Sequence, residues 1–242
     1  MTLLAAYNHD EASGDVIDVT GNGHSFPIGS TFGNSSRTAV GTDKWGTGRA
    51  LTQDLQDITP GPAMFGQTNN RTIMAWVWQS SMPTGWLWEW LISSISSGGW
   101  GLLFLNGQWN IQARNAGGFA RATANAPSLS TWHHMCGTYD MSNIRLYIDG
   151  TLAATTPLTG PLRTDSNAFR VNDQCGTSTR FDDVRIYDEA RTQAQIQTDM
   201  NTPVSAVSNP NIYFSNGAQS TGIYEMTAGG VLVQRNNLIT IK

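Results

Sequence analysis

Residues 71–79, Arg-Thr-Ile-Met-Ala-Trp-Val-Trp-Gln, alternate two sets of side chains, Ile73/Ala75/Val77 and Met74/Trp76/Trp78, and both sets are apolar. A period of two predicts a strand, and two apolar faces predict cover on both sides or a ligand groove on one. Short strand-like runs follow at 86–95, 101–105, 108–114, 119–123, 132–139, 144–148, 151–156, 169–172 and 182–187. Gly98-Gly99, Asn106-Gly107, Gly117-Gly118 and Asp149-Gly150 punctuate them, and such dipeptides accept the positive φ that tight hairpin turns demand. Strands this short and regular predict a two-sheet sandwich or a barrel. One helix is predicted, over 193–200, where Thr192 caps the first turn and Gln195 stands three residues on, as in a capping box. From Thr202 to Pro210 the chain turns rich in Pro, Ser, Val and Asn and reads as a linker. Short strands resume at 211–214, 222–227 and 231–241. The predicted organisation is a sandwich domain over 1–202, then a linker and a small β-rich appendage over 203–242, which is too small for an independent core.

Composition narrows the function classes. With 13% charged residues, 39% hydrophobic residues and 25 glycines in 242, the chain suits many strands and turns and not a helical bundle. A net charge of -4 supplies no basic field for phosphates, so nucleic acid is excluded as an expected partner. No run approaches the ~18 apolar residues of a membrane span. Met1 to Tyr7 turns polar at once, so neither a signal peptide nor membrane insertion is expected. Cys136 and Cys175 are too few for a disulfide framework or a zinc site; buried thiols are expected, with a bond between them left open.

The segment Trp132-His133-His134-Met135-Cys136-Gly137-Thr138-Tyr139-Asp140, followed by Ile144-Arg145-Leu146-Tyr147-Ile148-Asp149-Gly150, resembles the central hairpin of laminin-G-like, concanavalin A-like lectin/glucanase domains. Tyr7 to Gly23 is similar to the family's opening strand and loop. Trp45-Gly46-Thr47-Gly48-Arg49-Ala50-Leu51 is similar to its glycine-rich second strand, and Phe181 to Asp188 to its closing strand. The resemblance covers about residues 3–200. It implies an all-β fold, a two-sheet antiparallel jelly-roll sandwich with one short helix, whose first and last strands lie side by side. It also implies a structural calcium ion held by Asp182, which opens the closing strand, with carbonyls of the N-terminal region; Asp10 is the second metal candidate. The alternative is that these carboxylates cap loops and pair with Arg180 or Arg185.

Catalysis is not expected. Glycoside hydrolysis needs two carboxylates roughly 5–10 Å apart, and the tryptophan-rich run Trp86-Leu87-Trp88-Glu89-Trp90-Leu91-Ile92 holds one acid, Glu89. His133 and His134 are adjacent on a predicted strand, so they point to opposite faces. Nine tryptophans, seven of them between Trp76 and Trp109, supply surfaces that stack on sugars or bury at protein interfaces. Trp78, Trp86, Trp88, Trp100 and Trp109 are the candidate ligand-binding residues, and Trp76 and Trp132 are expected in the core. Three functions follow: a non-enzymatic adhesion or structural protein of a virion surface, such as a phage minor tail or capsid-decorating protein; a free extracellular carbohydrate-binding module; or a degenerate glycoside hydrolase. The expected partners are a glycan or other virion proteins, with homo-oligomerisation through the appendage.

Overall fold

The computed structural model describes residues 3–10, 16–25, 43–45, 69–82, 89–94, 100–162, 169–173, 179–204, 224–226, 232–234 and 237–238. Its strands are β1 (Leu3–Tyr7), β2 (Arg71–Gln79), β3 (Glu89–Ser94), β4 (Gly101–Leu105), β5 (Gln108–Asn115), β6 (Gly118–Asn125), β7 (Trp132–Tyr139), β8 (Asn143–Ile148), β9 (Thr151–Pro157), β10 (Phe169–Asp173) and β11 (Thr179–Tyr187). Helix α1 (Gln193–Met200) follows, then β12 (Tyr224–Met226), β13 (Leu232–Gln234) and β14 (Asn237–Leu238). The chain divides into two compact units, Met1–Ala206 and Val207–Lys242.

In the first unit a six-stranded sheet, β1-β11-β2-β7-β8-β9, faces a five-stranded sheet, β10-β3-β4-β5-β6, and every pairing is antiparallel. Strand β1 lies beside β11, with Leu3 opposite Tyr187 and Tyr7 opposite Val184, so the opening and closing strands are neighbours as a jelly roll requires. The second unit carries the three-stranded sheet β12-β13-β14.

Period-two patterning decides what lies between the sheets. Ile73, Ala75 and Val77 of β2, Met135 of β7, Leu146 of β8 and Phe181 of β11 meet Leu102, Phe104, Trp109 and Ile111 of β4 and β5 in one core. Gly137 leaves no room for a side chain between the sheets: an added Cβ would stand 2.5 Å from Ile111 Cδ1. Two hairpin turns use the expected dipeptides: Asn106 and Gly107 have φ of 52° and 73°, and Asp149 and Gly150 have 49° and 70°.

The other apolar face of β2 is covered by α1. Met74, Cys136, Tyr147 and Tyr187 form a second cluster closed by Ile196 of the helix. The capping box is present: Gln195 N–H donates to Thr192 Oγ1 and Thr192 N–H to Gln195 Oε1. Arg191 fixes the helix by a two-pronged bond to Asp199, Nε to Oδ2 at 3.0 Å and Nη2 to Oδ1 at 2.9 Å, in buried surroundings. Cys136 is a buried free thiol, and burial pushes its pKa up; Cys175 lies outside the described residues.

Candidate functional site

The strands of the six-stranded sheet stack three side chains in a row where α1 no longer covers them. On β2, Trp78 is opposite Trp132 of β7 on one side and Arg180 of β11 on the other. Direct partners in an antiparallel pair project to the same face, and this face is opposite that of core residue Val77. All three side chains are half-buried. The Arg180 guanidinium sits 4.0 Å from the centre of the Trp78 ring. One row inward, Trp76 is opposite His134 and Asp182. The helix ends there, because Trp76 Nε1 donates to the carbonyl of Met200, the last helical residue, at 3.2 Å. Lys44 Nζ lies 3.9 Å from the Trp76 ring centre and 5.6 Å from that of Trp45. The result is an aromatic strip with a cation over two successive tryptophans of β2.

The candidate tryptophans divide. Trp78 belongs to the strip. Trp109, 2% exposed, is a core residue: its Nε1 donates to Gln79 Oε1 at 3.2 Å, and Phe104 and His133 pack against its ring. Trp100, 3% exposed, is also committed to the core, with Arg71 over its ring. Neither offers a face for stacking, because both side chains are packed in the core between the sheets. Trp86 and Trp88 lie outside the described residues, and the side chain of Glu89 does as well. Trp132, expected in the core, stands half-exposed, because register places it at the sheet end beyond the helix. Arg180, Lys44 and Trp45 carried no sequence signal as ligand residues; the signal available was the pairing of Arg180 with Trp78, which requires register.

The metal candidates separate as well. A bulge in β11, with Asp183 at φ 51°, buries Asp182 and Asp183 together. Asp182 accepts from Lys44 N–H at 2.9 Å and Asp183 N–H at 2.8 Å. Asp183 accepts from Val204 N–H, from Trp45 Nε1 and from Arg185 Nη2. Asp10 is exposed and bonded to Asn8 Nδ2 at 2.8 Å. A calcium ion wants six to eight oxygens, whereas the groups aimed at these carboxylates are N–H donors. Among the described residues no three His, Cys, Asp or Glu side chains gather as metal ligands. Burial, then Asp183 and Asp43, push the Asp182 carboxyl up to about 8.

The two adjacent histidines point apart. His134 packs edge-on to Trp76 at 5.4 Å, and burial, aided by Arg185 and Lys44, pushes its pKa down to about 3. His133 turns to the opposite face: its Nδ1 lies 2.7 Å from Asp149 Oδ2 and its Nε2 3.0 Å from Ser128 Oγ. This Ser-His-Asp order matches a hydrolytic triad, but hydrolysis also needs N–H donors for the developing oxyanion. The Ser130 N–H beside it is committed to the Gln79 carbonyl at 2.6 Å. Asp149 Oδ1 also accepts the His134 N–H, so the trio ties the β8–β9 turn to the segment entering β7.

A laminin G family model, described as Concanavalin A-like lectin/glucanases superfamily, matches residues 52–197. The chain belongs to that superfamily. No curated protein matches it in sequence. Solved structures share the superfamily fold with it. The receptor binding domain of botulinum neurotoxin C/D mosaic serotype aligns at TM-score 0.60 and 13% identity, over 81% of this chain and 50% of that one. The binding domain of Paraclostridial Mosquitocidal Protein 1 aligns at 0.60 and 15%, over 82% and 52%. The botulinum neurotoxin serotype D ligand binding domain, solved in complex with N-acetylneuraminic acid, aligns at 0.60 and 14%, over 81% and 50%. The superfamily chain described here spans about half the length of those structures.

Proposed function

We propose that this protein is a non-enzymatic, lectin-like binding module that holds a saccharide on the outer face of its six-stranded sheet. The observation that carries the reading is the row Trp132–Trp78–Arg180, half-buried on the outer face beyond the end of α1. Indole rings stack on the C–H faces of sugars, and half-buried rings on a rigid sheet lose little freedom on binding. Membership of a lectin/glucanase superfamily supports it, as does the fold shared with a domain crystallised with N-acetylneuraminic acid. A glycan array with the full chain tests it. Binding that falls roughly tenfold in Trp132→Ala, about 1.4 kcal/mol, is expected. Silence across acidic and neutral glycans removes the reading.

The second reading, a surface-attachment component of a virion, rests on the second compact unit. Among the described residues its strands are two or three residues long, too short to close a core alone, and a unit of this kind gains a core by pairing with further copies. Light scattering after size-exclusion chromatography is expected to give an oligomer for the full chain and a monomer after truncation at Ala206. A monomer in both removes the second reading and leaves the first.

A further inference from the structure

Arg180 and Lys44 are the two cations of the aromatic strip, and the acids that follow Arg180 on its own strand are Asp182 and Asp183. The fold assigns those acids elsewhere. Asp183 pairs with Arg185 at 3.4 Å, while Asp182 accepts two backbone N–H groups. Among the described residues no carboxylate and no hydrogen-bond acceptor meets the guanidinium of Arg180 or the ammonium of Lys44; their contacts are the rings of Trp78, Trp76 and Trp45. The chain as a whole carries a net charge of -4, so this pair of cations is local to the strip.

The arrangement positions charge for a ligand. A guanidinium carried on an indole is held in place by the ring while its N–H edges stay free for a planar oxyanion, which it grips bidentately. Trp76 and Trp78 are two residues apart on one strand face, roughly 7 Å, so the cations above them are spaced on the scale of one sugar unit.

We propose that the saccharide bound on this strip is anionic, its carboxylate or sulfate ester meeting the Arg180 guanidinium above the Trp78 ring, with Lys44 as the second cation. This rests on the reading of the strip as a glycan site.

Isothermal titration of the full chain with 3′-sialyllactose, its methyl ester, 3′-sulfolactose and lactose tests the proposal. At least one anionic sugar is expected to bind tenfold or more tighter than lactose, with affinity falling as salt rises. Binding of 3′-sialyllactose lost in its methyl ester identifies the carboxylate; binding of 3′-sulfolactose alone identifies the sulfate. Arg180→Gln, checked for an unchanged circular dichroism spectrum, is expected to erase the preference over lactose, and Arg180→Lys to restore part of it. Equal binding of anionic and neutral sugars, sensitive to Trp132→Ala, overturns the charge preference and leaves the glycan reading standing. A preference unchanged in both Arg180→Gln and Lys44→Gln also overturns the proposal, since the anion is then held elsewhere. No binding of any of the four sugars overturns both.

Discussion

Two buried titratable side chains on the strands either side of β2, Asp182 and His134, set opposite pH responses. The carboxyl of Asp182 is raised from 3.8 to about 8, so between these values the folded chain holds a proton that the unfolded chain has released, and stability falls as pH rises. His134 is lowered from 6.5 to about 3, so in that window the unfolded chain takes a proton that the folded chain refuses, and stability falls as pH drops. The slopes oppose each other between about pH 4 and 6.5. Urea unfolding is therefore expected to show a net loss from about pH 6.5 to 8, removed in Asp182→Asn, and another below about pH 4, removed in His134→Gln. Calcium is a control on the same measurement: an ion at Asp182 would abolish the loss on the alkaline side. Gly137 supplies a prediction of another kind. An added methyl meets Ile111 at the 2.5 Å approach of the sheets, so Gly137→Ala is expected to destabilise by about 1–3 kcal/mol through overpacking, read as a lower urea midpoint.

The helix shows how little of an element's stability its own sequence supplies. Eight residues are too few to hold a helix in water, and α1 has one buried apolar side chain, Ile196. It persists because of its cap and because Arg191 and Asp199 join beneath it while Trp76 and Gln197 fasten its end to the sheet and to the β8–β9 turn. Breaking a buried ion pair by removing one partner costs about 3–5 kcal/mol, and Arg191→Ala is expected to cost that much. Hydrogen exchange should locate the loss first in residues 193–200. Freed of the helix, the second apolar cluster with Cys136 would open to solvent, so thiol labelling of Cys136 is expected to accelerate in Arg191→Ala.

At the scale of the whole molecule, the sandwich should stand without the second unit: a chain ending at Ala206 is expected to unfold cooperatively with an unchanged midpoint, since the two-sheet core lies within Met1–Ala206. The sequence by itself determined the strands, the turn dipeptides and the capped helix. Each is written in local patterns of period two, positive φ and side-chain capping that need no distant partner. The resemblance of residues 3–200 added the pairing of the first and last strands. Tertiary structure alone decided the site. Trp78 and Trp109 carry the same local signal, yet one stands half-buried on the outer face and the other lies between the sheets. Arg180 reaches Trp78 only through the register of strands about a hundred residues apart. The helix ends beside Trp76, and Trp78, one row further on, stays half-buried. Burial and cross-strand register are properties of the assembled sheets, and no window of sequence contains them.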